Sequence, residues 1–493
     1  MSSARIAAAR LAPIAACLLL AFATLVGCGK KGTLSPNRPP ETVVFVSGDL
    51  DTVRHIVGLS WFGTDPDGEV VAFEYKWIYE AGQAPAAYDS SLWFATTRSE
   101  STFVVWTPSG TAMPTFVIRS IDDEGAADET PARQAFRFRN EPPLVELAGA
   151  PVLPDTTYPV ATIGWTSSDP DGDIRRAHYL VWLDGNVANP VVLPAINQYT
   201  IPPAAFSDGA GGYVAGPHTV HIRAVDDGGA ISEPATFTWV VVEPQGEILL
   251  VDDVPADLSA PVDPAYRNAL NRQLGGASAY SVINLETGNP FRSAADVTAT
   301  FGFFRSVIWY QESNAARSGA LPLAETAIRT LLADGGNVYL CSTIAVGTAG
   351  TLGGDAFLRD IVGADSVRMN RKTGTSSFSL GNGAVLTAGT AMPYDSLRAI
   401  SISSNVDALA LRVQSEAAFL ARPILLDSSQ TEDWIVGVDR VPAGGAGRFV
   451  FLTFPLRFLG GTPVGAPAPA PDLNYAEKTI RRVLARFGHG PNP

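Results

Sequence analysis

Thiols, histidines, basic residues and long apolar runs are all scarce in this chain, and each shortage removes a class of function. Three cysteines, Cys17, Cys28 and Cys341, stand far apart in 493 residues, which gives no basis for a disulfide framework. Five histidines leave the last half of the chain with His489 alone, so no Ser-His-Asp set can be assembled there. Lys and Arg number 35 against 49 Asp and Glu, a formal charge of -14, which disfavours nucleic acid as a partner. After Val26 no apolar stretch approaches the roughly 18 residues of a membrane span. What is present fits a large folded chain. Hydrophobic residues make up 46% and charged residues 17%, enough to bury about three cores in a chain of this length. The 46 glycines and 37 prolines suit many turns joining short strands.

Residues 1–27 carry Arg5 and Arg10 and then an uncharged apolar run from Leu11 to Val26, the n-region and h-region of a secretory signal. The sequence Leu25-Val26-Gly27-Cys28 resembles the lipobox of bacterial lipoproteins. That resemblance implies cleavage before Cys28 and a lipid on its thiol. Several acyl chains hold more firmly than one, and Gly29 after the cysteine implies the outer membrane. The plainer readings of the same residues are an ordinary cleaved signal or a short uncleaved anchor. With residues 1–27 removed the formal charge becomes -16, and Cys341 is the remaining thiol. Residues 28–38, basic and proline-rich with Pro39-Pro40 following, read as an extended tether.

An internal repeat dominates the next two hundred residues. Trp61, Asp65-Pro66-Asp67-Gly68, Tyr75, Arg119, Asp122, Asp123 and Gly125 return 104 positions later as Trp165, Asp169-Pro170-Asp171-Gly172, Tyr179, Arg223, Asp226, Asp227 and Gly229. Asn37 with Pro39-Pro40 returns as Asn140 with Pro142-Pro143, which sets modules at 39–140 and 141–243. Period-2 stretches such as Val220, Ile222 and Ala224, separated by Asp-Pro-Asp-Gly turns, predict strands. In that turn proline pre-sets its φ, aspartate caps the backbone and glycine is expected to take a positive φ. Several short strands per hundred residues imply a β-sandwich for each module. The Trp-x-x-x-Asp-Pro-Asp-Gly block and Arg223-Ala224-Val225-Asp226-Asp227-Gly228-Gly229 resemble bacterial fibronectin type III or immunoglobulin-like modules, which implies fold and not function.

From Gly246 the pattern changes to short apolar runs alternating with helical stripes. Ile248-Leu249-Leu250-Val251, Tyr280–Leu285, Ser306–Tyr310 and Asn337–Leu340 read as strands. A helix is expected over Asp263–Leu274 with Pro264 in its first turn, and another carries Ala324, Ile328 and Leu331. Such alternation implies a parallel sheet covered on both faces. Further strands are expected at Phe419–Leu426, Trp434–Val438 and Phe449–Thr453. The last helix would have a capping box from Asn474 and Glu477 and a stripe of Ile480, Val483, Leu484 and Phe487. His489 follows, in a tail over 489–493 that reads as exposed.

Ile248–Asp253, Val307-Ile308-Trp309-Tyr310 and Gly335–Ser342 with the later Phe357-Leu358-Arg359-Asp360 resemble the class I glutamine amidotransferase-like domain of secreted bacterial proteins, over residues 246–488. The resemblance implies a doubly wound, flavodoxin-like α/β domain with Cys341 at or beside a nucleophile turn. Tyr339 and Thr343 occupy places where small residues would let that turn form. Aligned on Pro455, Phe454 stands at the histidine position and Leu456 at the glutamate position, and a thiol without a base is a poor nucleophile. The domain therefore reads as inactive in glutamine hydrolysis.

Ligands gather beyond the carboxyl ends of parallel strands, which makes Asp252, Asp253, Glu312, Cys341, Ser342 and Thr343 candidates for lining one acidic cleft. The favoured reading of the same residues is as caps and loops of a disused one. Asp65, Asp67, Asp122 and Asp123, with Asp169, Asp171, Asp226 and Asp227, offer oxygens suited to Ca2+, although turn stabilisation explains them without metal. His218 and His221 are three apart on a strand, face opposite ways and read as surface residues. The leading expectation is a non-enzymatic, lipid-anchored cell-envelope protein in the outer membrane facing periplasm or cell surface. It would hold the membrane through Cys28 and bind a protein or carbohydrate ligand. The alternative is an envelope hydrolase of glycan, peptide or amide bonds working through the acidic cleft.

Overall fold

The computed structural model describes residues 36–46, 53–81, 84–85, 88–107, 111–148, 155–311, 319–342, 354–367, 377–380, 384–390, 392–399, 403–422, 432–456, 459–461 and 475–491. Cys17, Cys28, Glu312, Thr343 and Asn474 lie outside the described residues. The chain divides into two compact units. The first holds Met1–Pro142 with the turns Pro170–Gly172 and Asp227–Ala230, and the second holds Pro143–Asp169, Asp173–Asp226 and Ile231–Pro493.

In the first unit β1 (Glu41–Val46), β2 (Ile56–Thr64), β3 (Val70–Ile78), β4 (Phe94–Thr96), β5 (Glu100–Val104), β6 (Thr115–Asp122) and β7 (Ala132–Ala135) form two sheets, in the orders β1-β2-β5 and β4-β3-β6-β7. Alternation along β2 turns Val57, Leu59 and Trp61 inward, because successive side chains of a strand face opposite ways. Trp61 is ringed by Phe73, Tyr75, Phe103 and Phe116 at centroid distances of 6.0 to 6.5 Å.

The second unit opens with the matching sandwich. Its strands are β8 (Leu144–Leu147), β9 (Ala161–Ser168), β10 (His178–Leu183), β11 (Val191–Leu193), β12 (Gln198–Ile201), β13 (Gly216–Val225) and β14 (Ala235–Val241), in sheets β8-β9-β12 and β14-β13-β10-β11. Trp165 occupies its centre at 1% exposure.

The repeat holds in both sandwiches, with one slip. Tyr75 pairs with Ile118, yet Tyr179 pairs with Ala224 rather than with Ile222, the residue 104 positions beyond Ile118. Tyr179 thus takes the place of Phe73. The one-turn helix Ile174–Arg176, capped by Asp173, takes up two residues between the Asp-Pro-Asp-Gly turn and β10. The glycine expectation is also corrected. Gly125 (φ 87°) and Gly229 (φ 90°) hold the left-handed conformation, whereas Gly68 is required by close approach, since a Cβ there would lie 2.4 Å from Asp123 Oδ1.

Among the described residues, the rest of the second unit is built on a sheet of 12 strands. Five strands, β15 (Ile248–Asp252), β16 (Ser281–Asn284), β17 (Ser306–Gln311), β18 (Asn337–Ser342) and β23 (Phe449–Leu452), run parallel in the order β16-β15-β17-β18-β23. The sheet continues antiparallel through β22 (Trp434–Arg440), β21 (Ala417–Ala421), β19 (Val385–Ala388), β20 (Leu397–Ala399) and β24 (Leu459–Gly461). Helices α1 (Ala256–Leu274) and α4 (Tyr475–Arg486) share a core with Ile248, Leu250, Ile308 and Tyr339. On the opposite face α2 (Ala294–Phe301) and α3 (Glu325–Ala333) pack against Leu249, Val251, Val307 and Leu340. Every residue of β15, β17 and β18 is buried, as a strand covered on both faces must be.

Helix α1 starts seven residues before the expected Asp263. Pro261 and Pro264 each remove a backbone donor, but the buried stripe of Val262, Ala265, Tyr266, Ala269 and Leu270 holds the helix together across them. His489 is not exposed. It is 9% accessible, with Nε2 2.8 Å from Ser306 Oγ, because the chain after α4 folds back and Gln273 Nε2 donates to the carbonyls of His489 and Pro491. His218 is likewise buried at 5%, with Nδ1 2.8 Å from Asp184 and Nε2 2.8 Å from the Val214 carbonyl. His221 stacks on Trp182 at 5.0 Å.

Candidate functional site

Two polar rows cross the carboxyl ends of the parallel strands, one on each face of the sheet. Register places Asn284 beside Asp252, Asp252 beside Tyr310, and Tyr310 beside Cys341. These four belong to the face covered by α1. Asn284 Nδ2 donates to Asp252 Oδ2 at 3.2 Å, and the Val254 N–H donates to Asp252 Oδ1 at 3.3 Å. Above them, Asp263 of α1 accepts from the Tyr310 hydroxyl at 2.8 Å, while the Tyr266 ring stacks on Tyr310 at 4.0 Å.

Two carboxyl groups meet here, Asp252 fully buried and Asp263 partly exposed with Arg267 Nε 3.5 Å from its Oδ2. Burial and the neighbouring Asp263 carboxyl push Asp252 up to about 7. Burial, reinforced by Asp252 and Asp263, raises the Tyr310 phenol far above its ordinary range. Both effects favour the uncharged forms, since a low-dielectric site penalises charge and like charges repel.

The other face carries the second row. Asp253 Oδ2 accepts from Trp309 Nε1 at 3.2 Å and from Gln311 Nε2 at 2.9 Å, and Ser342 Oγ donates to Gln311 Oε1 at 3.0 Å. A strand sends consecutive residues to opposite faces. Asp252 and Cys341 are therefore separated by the sheet from Asp253 and Ser342, which corrects the expectation of one shared cleft. Nor do these residues line an open cleft, for Asp252, Asp253, Cys341 and Ser342 are exposed by 0%, 1%, 0% and 1%.

Cys341 continues its strand instead of marking a sharp turn. Among the described residues Asp184 is the one non-glycine with positive φ. The Cys341 thiol donates to the Phe454 carbonyl at 3.3 Å, and Phe454 and Leu456 fill the same core at 1% and 0% exposure. Asp263 was missed in the sequence because the expected helix begins at that residue. Tyr310 was read merely as a strand residue.

A cavity of 270 Å³ reaches the edge of this region, lined by Val282, Ile283, Asn284, Thr287 and Pro290 together with Asp155–Tyr158 and Val242. Tyr158 bridges it by donating to the Val282 carbonyl at 3.3 Å, which covers part of the free edge of β16.

The repeated aspartates serve the turns. Asp122 Oδ1 accepts from the N–H groups of Glu124 and Ala126 at 3.0 and 2.7 Å, and Oδ2 accepts from Asn37 at 2.7 Å. Asp65 accepts from Asp67 N–H, Asp123 from Glu69 N–H, and Asp67 from Arg38 N–H. In the second copy, Asp171 Oδ2 accepts from Glu141 N–H, and Asp227 Oδ1 lies 2.9 Å from His55 Nε2. Asp169 is half-buried and Asp226 is buried. Among the described residues no three His, Cys, Asp or Glu side chains converge as a metal would require.

No protein-family model matches the chain, and no curated protein is significantly similar to it. Among solved structures it is similar to the fibronectin(III)-like modules of Clostridium thermocellum CbhA, at 17% identity over 40% of this chain and 94% of that one, with a TM-score of 0.18. It is also similar to the FN1-FN3 domains of chicken CNTN1, at 17% identity over 43% and 70%, TM-score 0.17. A tetra-tandem repeat from the extending region of a large adhesion protein matches at 15% identity over 41% and 49%, TM-score 0.19. The neighbours are fibronectin III-like modules and this chain is β-rich, but at such scores the sandwich architecture stands on its own strand pairing and cores. Among the described residues no helix is long and apolar enough to cross a membrane.

Proposed function

We propose that this chain is a lipid-anchored cell-envelope protein that binds or assembles and does not catalyse. In this reading Cys28 carries the lipid, the two sandwiches act as a spacer, and the C-terminal domain is a doubly wound, flavodoxin-like relative of the class I glutamine amidotransferases that has lost their chemistry. One observation carries the non-catalytic part: the Cys341 thiol is sealed in an apolar core and donates to the Phe454 carbonyl. A nucleophile must reach its substrate and have a base beside it. The described histidine of this domain, His489, hydrogen-bonds with Ser306 at the opposite end of the strands.

The alternative, an envelope hydrolase, would draw on Asp252, whose elevated titration suits a general acid. Its complete burial weighs against that reading.

Two experiments separate these accounts. In a bacterial host fed labelled palmitate, the full chain should take up label and sediment with membranes, and C28A should do neither. An unlabelled wild-type chain would refute the anchor. Purified full chain should release no ammonia from glutamine. Release that is abolished by C341A would refute the loss of activity.

A further inference from the structure

The second sandwich contains a pocket of 360 Å³ lined by Val181, Trp182, Leu183, Val191, Tyr199 and Ile201, with Asp184, Asn186 and Asn189 also bordering it. Its origin can be read from the repeat. Pairing equates Val181 with Tyr75 and Leu183 with Trp77, because their partners Ile222 and Val220 lie 104 positions beyond Ile118 and Phe116. By the same logic Val191 corresponds to Phe94, through their partners Val181 and Tyr75. Ile201 corresponds to Phe103, through Ala161 and Val57.

In the first sandwich those four aromatic rings pack together. Tyr75 lies 5.7 Å from Phe94 and 5.1 Å from Phe103, and Trp77 lies 5.7 Å from Phe103. The second sandwich has an aliphatic residue at all four places. The pocket is bordered by these four aliphatic side chains, and its volume falls within the roughly 300–1,000 Å³ usual for small-ligand sites.

Its rim is polar and held in place. Asp184 adopts φ 52°, and its carboxylate accepts from Thr219 N–H at 2.8 Å and lies 2.8 Å from the buried His218. The Asn186 N–H donates to the Leu183 carbonyl and the Asn189 N–H to the Asn186 carbonyl, two successive turns that leave both residues exposed, with Asn189 Nδ2 donating to Asn186 Oδ1 at 3.4 Å. A ring seated on the aliphatic walls, with a hydroxyl or N–H directed outward, would meet acceptors there.

We infer that this pocket binds a single aromatic ring bearing a hydrogen-bond donor, a phenol or an indole, either free or as a Tyr or Trp side chain of a partner. Apolar walls favour such a ring over a sugar, whose hydroxyls around the whole ring would be left unpaired against Val181, Leu183, Val191 and Ile201.

The test uses the full chain and p-cresol, with toluene, methyl glucoside and N-acetyl-tyrosinamide as companion probes. Titration calorimetry should detect p-cresol and N-acetyl-tyrosinamide, and p-cresol should raise Tm. L183W, which restores the residue found in the first sandwich, should abolish binding while leaving Tm without ligand unchanged or higher. N186A/N189A should weaken p-cresol several-fold and leave toluene unaffected. If p-cresol binds and N-acetyl-tyrosinamide does not, the source is a free small molecule and not a side chain. Absence of p-cresol binding, equal binding by L183W, or binding of methyl glucoside in its place would overturn the assignment.

Discussion

Asp252 couples the stability of the C-terminal domain to pH. Its folded value of about 7 stands above the 3.8 of a free aspartate, so the folded state favours the protonated form. That contribution is complete below about pH 4 and is lost as pH rises through 7. D252N holds the neutral form at every pH. Thermal melts should therefore show D252N gaining on wild type from pH 5 to pH 8, by a few kcal/mol at most, each unit being worth about 1.4 kcal/mol. A constant difference across that range would place the proton elsewhere. Cys341 gives a second expectation at this scale. Its 0% exposure should protect it from iodoacetamide in the native chain and release it only in denaturant, read by mass spectrometry of the Cys341 peptide.

At the level of strands and helices, Asp439 of β22 joins separate elements. It is fully buried, with Arg448 Nη1 at 2.5 Å, Arg486 Nε of α4 at 2.7 Å and the Tyr394 hydroxyl at 2.9 Å. Burial, and then Asp439 itself, raises the Tyr394 phenol well above its usual range. D439A leaves two guanidinium groups without their carboxylate and should cost about 3–5 kcal/mol in chemical denaturation. The two sandwiches differ at their central tryptophans. Trp61 Nε1 donates to the Arg98 carbonyl at 2.9 Å, while Trp165 Nε1 has no hydrogen-bond partner among the described residues. W61F should therefore cost about 1 kcal/mol more than W165F, since a lost bond is penalised and an unmade one is not.

Much of this scale was legible. The Asp-Pro-Asp-Gly turns, the Trp61 and Trp165 cores and the apolar runs of β15, β17 and β18 all follow from local chemistry and period. Three features did not. Which face Asp252 and Asp253 take depends on where β15 ends. Helix α1 crosses two prolines because its buried stripe outweighs them. The two-residue slip at Tyr179 comes from a turn, Ile174–Arg176, that pattern alone does not count.

At the scale of the whole chain, tandem modules of like topology risk exchanging strands while folding. Here the exchange is mismatched. Strand β10 carries Val181 and Leu183 where β3 carries Tyr75 and Trp77, so in the first sandwich it would leave a hole. A chain given V181Y, L183W, V191F and I201F together should refold from denaturant with lower monomer yield than wild type, measured by size exclusion. The aliphatic set in the second sandwich would then be more than the walls of a pocket. It would be a proofreading mark, telling two neighbouring copies apart while the chain is still emerging.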